Sequence, residues 1–300
     1  MKIPLALISV FLLCGNLPVS ANPIPMQELI KSKKISCSIH GNSASTHYLE
    51  PVVAHFTNLS GESVSFVIDN GDMFIPSDST YQNIVVTHQE IVELKPKEER
   101  AVKIKGMCTE QSDMSGNDHL IYTFKAAGNE TLRKLATFIG EQKYQSSAAQ
   151  YAVWSLMGNK DINSIYSSDS TEETNLKKFM ASLTGKTYQV KSTDYRYNYY
   201  SPPREKVGGN FEYNFSKPQD VQIAMFDKNG ILVRELFNQK KVAPGEHKMS
   251  FEFDSSVYTD DVYYFKLIAM NQVLVSQKWD IQAIRDSFKQ KVQDRISGDH

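Results

Sequence analysis

The chain is short of three things: cysteine, long apolar runs and blocks of like charge. Each shortage removes a class of protein. The apolar stretch from Ile3 to Leu13 falls well below the roughly 20 helical residues that cross a hydrocarbon layer of about 30 Å, and no later segment approaches a span. Lys and Arg number 33 against 34 Asp and Glu, a formal net charge of −1. With no large basic block, nucleic acid is excluded as a principal partner. There is no Gly-x-Ser-x-Gly elbow, no His-Glu-x-x-His pair and no phosphate-cradling glycine loop. The expectation is therefore a protein that is not an enzyme, with no cofactor and no metal.

What is present begins with the leader. Lys2 supplies a positive start, Ile3 to Leu13 a short apolar core, and Val19-Ser20-Ala21 the small residues that signal peptidase prefers. Cleavage before Asn22 is expected. Lipidation at Cys14 is the alternative, although Leu13 is larger than the residue that lipoprotein peptidase prefers there. Either way the chain is exported, to the periplasm, the cell surface or the medium. The hydrophobic share of 41% and charged share of 22% are those of ordinary folded material. A length of 300 residues suits two domains at roughly 100–200 residues each.

Removing the leader removes one of the 3 cysteines and leaves Cys37 and Cys108. In an exported chain a pair reads most simply as a disulfide. Closing a loop of about 70 residues would give about 4 kcal/mol in the chain-entropy model. A reactive cysteine is the competing reading.

Tyr and Phe number 15 each, a richness that suits strands. From Ile35 to Phe124 short strand-like runs alternate with turn signals such as Asn58-Leu59-Ser60-Gly61 and Asp69-Asn70-Gly71. This spacing predicts a β-sandwich. The period then becomes helical, with helices predicted from Thr131 to Glu141, from Ser147 to Met157, and from a Ser170–Glu173 capping box to a stop at Gly185. Tyr195, Tyr197 and Tyr199 share one face of an extended connector. They read as an aromatic surface for a sugar, or as a strand lying on a neighbouring domain. The last module carries paired strands around Asp227-Lys228-Asn229-Gly230, where Asn-Gly predicts a type I′ hairpin. An amphipathic helix follows, with Ile281, Ile284, Phe288, Val292 and Ile296 on one side.

The predicted fold class is mainly β with α: two Ig-like β-sandwiches, the first with a helical extension, and a C-terminal helix. The segments are a signal peptide at 1–21, a sandwich at 22–130 and a helical subdomain packed on it at 131–187. A Tyr/Pro linker at 188–207, a second sandwich at 208–281 and the terminal helix at 282–300 complete the chain.

Two resemblances carry expectations. The runs VQIAMFDKNGILVREL, VAPGEHKMSFEFD and DVYYFKLIA, between Gly208 and Trp279, resemble the Ig-like domain of flagellar hook-capping proteins. They are also similar to C-terminal β-modules of proteins secreted by gliding and gingival bacteria. That resemblance implies a fold and an exported bacterial setting, not an activity. Where such modules usually carry Trp-Asp-Gly, this chain has Phe253-Asp254-Ser255. Separately, Ala149-Gln150-Tyr151-Ala152-Val153-Trp154 resembles the T-Q-x-A-[IV]-W helix of bacterial thioester adhesion domains, with Ala149 in place of the threonine. In that family a glutamine side chain joins an upstream cysteine as an internal thioester that captures amines. The resemblance implies Gln150 as the acyl group, with Cys108 or Cys37 as the thiol.

The remaining candidates are weaker. His40, His47 and His55 are close in sequence and raise a zinc reading. Asp69, Asp72 and Asp78 sit near turns, as turn-forming Asp does, and raise a calcium reading without an EF-type loop. The sequence thus points to an exported non-enzymatic protein with a structural or interaction role, binding a protein or cell-surface component. A carbohydrate is the second partner class. A covalent thioester adhesin and a hydrolase with an unrecognised site in the first domain are the alternatives.

Overall fold

The computed structural model describes residues 23–167, 169–189, 206–254, 260–284, 286, 287 and 290. The leader and Tyr195, Tyr197 and Tyr199 lie outside the described residues, as does most of the segment expected to form the terminal helix. The molecule is mainly β, with sixteen strands and four α-helices among the described residues, and residues 281–284, 286, 287 and 290 are also helical.

The first module holds β1 (Ile24–Pro25), α1 (Met26–Lys31), β2 (Ile35–Gly41), β3 (Val52–Asn58), β4 (Val64–Ile68) and β5 (Met73–Pro76). It continues with β6 (Ile84–Val86), β7 (Glu90–Leu94), β8 (Glu99–Ile104), β9 (Gly106–Cys108) and β10 (Ile121–Lys125). Seven strands form one sheet in the order β8-β3-β2-β10-β5-β6-β9, and β1-β4-β7 form another. Inward residues of β3, such as Val52, Ala54 and Phe56, alternate with outward ones, and Phe56 meets Phe66 of β4 edge-on at 5.0 Å. This period-2 burial is what the strand pattern demands. The sheets thus share one apolar core.

Three helices follow: α2 (Glu130–Gln142), α3 (Ser147–Met157) and α4 (Ser170–Thr184). Their periodicity and stops are as the sequence predicts, and Gly185 ends α4 at φ +72°. The cap of α4 differs. Asp169, not Ser170, accepts from the backbone N–H groups of Thr171 and Glu172. Glu173, the expected capping-box partner, instead accepts from Ser167 N–H and pairs with Lys177. A carboxylate one residue earlier reaches the free amides and leaves the box without a task.

The second module holds β11 (Lys206–Phe215), β12 (Gln219–Phe226), β13 (Leu232–Val242), β14 (Gly245–Asp254), β15 (Val262–Ala269) and β16 (Gln272–Asp280). Its sheets are β13-β12-β15-β16 and β11-β14. The 227–230 turn is not type I′. Only Gly230 has positive φ (+77°), Gly230 N–H bonds Asp227 carbonyl, and Asp227 Oδ1 accepts from Asn229 and Ile231. The Asp side chain holds Asn229 out of the left-handed region, giving a type I turn closed by a glycine bulge.

The helical layer joins the modules. One core contains Tyr48 and Met107 of the first module, Leu135, Ala152 and Trp154 of the helices, and Phe226, Leu232 and Ile268 of the second. No helix among the described residues is long and apolar enough to cross a membrane.

Candidate functional site

The centre of the molecule is α3. Residues 147–150 and 152–155 are all buried, an all-round burial that the small side chains of Ala148, Ala149 and Ala152 permit. The helix starts at Ser146, whose hydroxyl accepts from Ala149 N–H. From this helix Gln150 reaches β9. Cys108 N–H donates to Gln150 Oε1 at 3.0 Å, and Gln150 Nε2 donates to the Cys108 carbonyl at 2.8 Å. One side-chain amide thereby pairs both backbone groups of an edge-strand residue, as a neighbouring strand would. The two residues lie 42 apart in sequence, and both are fully buried.

The Cys108 sulfur has other hydrogen-bond partners. Its neighbours are His47 Nδ1 at 3.0 Å, Gln82 Oε1 at 2.5 Å and the His47 carbonyl at 3.2 Å. His47 Nε2 accepts from the Leu232 N–H of β13 at 3.1 Å. A nitrogen that accepts has no proton, so the network assigns the imidazole hydrogen to Nδ1, directed at the sulfur. The thiol hydrogen is then the one donated to Gln82, whose Nε2 donates to the Glu110 carbonyl. Trp154 stacks on His47 with centroids 5.4 Å apart.

Both titratable groups are held neutral. Burial raises the Cys108 thiol well above its ordinary value, with Glu110 adding to the shift. His47 is lowered to about 3, chiefly by burial and also by the Lys266 charge, with a hydrogen bond to Gln150 acting in the opposite sense. A cysteine nucleophile needs a thiolate and a base with a free lone pair. Here the facing nitrogen already carries its proton, and the other lone pair is occupied by Leu232. The pair has the spacing of a Cys–His dyad and the opposite proton arrangement.

Of the sequence candidates, Gln150 and Cys108 come together. Cys37 does not join them. Cys37 and Cys108 are free thiols, and the expected disulfide is not formed. Cys37 lies on β2 and Cys108 on β9, four strand steps apart in the sheet order, at about 4.8 Å per step along the sheet. Bridged cysteines need Cα atoms within about 7 Å. Burial also pushes the Cys37 thiol up to about 12.

His40 and His55 face each other edge-on at 6.2 Å, whereas His47 belongs to the Cys108 cluster. Among the described residues no group of three His, Cys, Asp or Glu is placed to hold a metal. Asp72 accepts from Asp69 and Ala127 N–H, and Asp78 from Thr80, so these carboxylates shape turns. Two further acids, Glu172 and Glu235, take hydroxyl donors from Ser146 and Ser147. Glu172 is held above the usual carboxylate range by burial.

Sequence reasoning missed His47 as a bridge, Gln82, and the role of Gln145. Gln145 Nε2 donates to the carbonyls of Tyr48, Leu49 and Gly106, and its Oε1 accepts from Thr87. No local signal marks any of them. Comparison with protein-family models, with curated proteins and with solved structures finds no match to this chain.

Proposed function

We propose that this protein is exported and non-enzymatic, and serves as a modular interaction scaffold in the envelope or outside the cell. Its modules are read as Ig-like sandwiches, the second akin to those of hook-capping proteins. Loop ends and strand edges of such modules meet macromolecules, here a protein or another cell-surface component. The observation that carries the non-enzymatic reading is the commitment of His47. Its neutral ring ties Cys108 of the first module to Leu232 of the second and has no lone pair left for catalysis. Export rests on the leader.

The reading is tested in two steps. Mature protein beginning at Asn22 is expected in an extracytoplasmic fraction, and uncleaved precursor held in the cytosol overturns export. Purified mature protein is then expected to bind isolated cell envelopes saturably; purely linear uptake overturns the interaction role.

A second reading, the thioester adhesin, is favoured by the contact of Gln150 with Cys108. The sulfur would turn from Gln82 to attack Gln150 Cδ. An S–C bond would form, the C–N bond would break, and ammonia would leave with the thiol proton. Intact mass decides between the readings. Loss of one ammonia, followed by a methylamine adduct on amine treatment, establishes the thioester. An unmodified mass unchanged by methylamine rules it out.

A further inference from the structure

A polar cleft of about 570 Å³ opens where the modules meet beside β15 and β16, a size within the usual range for small-molecule sites. Its walls are the 42–47 loop, residues 115–117, the 227–230 turn, and Tyr264, Lys266 and Ser276. Of the Cys108 cluster, only His47 reaches it.

Lys266 is the unusual member. Its Nζ lies 4.5 Å from the centroid of the buried Phe226 ring, and burial lowers its pKa. Among the described residues no carboxylate lies within ion-pair distance of it. The nearby Asp227 acts in the opposite sense on Lys266, while its Oδ1 accepts from two turn amides. Lys266 is half-buried, whereas the fully buried Lys177 is paired with Glu173 at 2.6 Å. The lining carries Lys228 and Lys266 against one carboxylate, Asp227, and a partly desolvated ammonium without a direct ion-pair partner is unfavourable. An anion entering the cleft would relieve that.

The rest of the lining narrows the anion. The side chains of Ser115, Asn229 and Ser276 make no hydrogen bond among the described residues, and all three line the cleft. They offer hydroxyl and amide groups to a ligand rich in hydroxyls. Tyr264 adds a ring, against which an apolar sugar face packs.

We infer that this cleft binds a sugar bearing a carboxylate, with the carboxylate on Lys266 and sugar hydroxyls on Ser115, Asn229 and Ser276. The inference goes beyond the scaffold role by naming a ligand class, and a cleft that binds nothing would leave that role intact.

Calorimetry on the mature chain tests it, with D-glucuronate and N-acetylneuraminate as probes and D-glucose and acetate as controls. At least one acidic sugar is expected to bind saturably, and about tenfold or more tighter than either control, because only the acidic sugars join a charged hydrogen bond to the hydroxyl contacts. Lys266→Met is expected to lose at least about tenfold in affinity, and Lys266→Arg to stay within a few-fold of wild type. Ser276 is exposed on the rim, so Ser276→Trp is expected to fold and to block binding. That variant decides the matter if Lys266→Met does not fold. Acidic sugars that bind no better than glucose or acetate overturn the inference. So does binding that survives both Lys266→Met and Ser276→Trp.

Discussion

Around Cys108 the polar atoms are all engaged within the protein, and those contacts determine what the residue can do. A thiol raised by burial, with the Glu110 charge adding to the shift, is un-ionised at neutral pH, and the thiolate is the reactive form. In native protein at pH 8, Cys108 is therefore expected to resist a thiol reagent, with Cys37 little faster. In denaturant without reductant both are expected to react. If neither reacts, a disulfide exists; if only Cys37 reacts, Cys108 is acylated. His47 adds a pH dependence. With a folded value of about 3 against an ordinary 6.5, both states are neutral above pH 6.5 and its contribution is complete. As pH falls below 6.5 the unfolded chain takes up a proton that the folded chain refuses, so stability is lost until about pH 3. The loss by pH 5 is about 2 kcal/mol. Denaturant unfolding of wild type and His47→Gln at pH 7 and pH 5 reads this directly. A variant with the same pH slope as wild type would sink it. The sequence made Cys108 and Gln150 visible because a short helical motif carried them. Gln82 and His47 were not visible as sulfur partners, since they lie 26 and 61 residues from Cys108 and meet it only through strand order.

Elements were legible where their own residues decide them. α3 has the predicted bounds, since its caps and its run of alanines are local. β5 and β9 were not read from the sequence, because strands of four and three residues carry too few alternations to show a period. β9 is an edge strand whose outer amides the sheet leaves open, and Gln150 closes it. Gln150→Leu would leave the Cys108 N–H and C=O buried without partners, a cost of about 1–3 kcal/mol for each group. Chemical denaturation is expected to show a loss of about 2–5 kcal/mol. A change below about 0.5 kcal/mol would mean that water or another side chain takes over the pairing. α2 shows a constraint that no pattern announces. A Cβ on Gly140 would sit 2.5 Å from the Thr87 carbonyl, so this glycine in the last turn of α2 records close packing of helix on loop rather than a helix stop.

At the scale of the whole molecule, the sequence reads as modules and a linker, whereas the structure shows one core that draws on both β-regions and the helices between them. The expectation of separate modules rests on turns and strand periods that change along the chain. The shared core was not legible, because it depends on faces that only tertiary packing brings together. The second module has its own core around Phe211, Ile223, Phe251 and Phe265, yet Phe226 and Leu232 point into the helical layer. Phe226 is fully buried, stacked near Tyr48 at 6.4 Å and edge-on to His47 at 6.2 Å. Replacing a buried Phe by Ala costs about 3–5 kcal/mol, and here most of that falls on the junction rather than on either module's own core. Phe226→Ala is therefore expected to turn one calorimetric unfolding transition into two. The second module would melt first, since its own sheets remain but its support is gone. A single transition, merely shifted to lower temperature, would place Phe226 within one cooperative unit and refute a separable junction. Separation would identify the helical layer as the element that makes two β-modules fold and unfold as one protein.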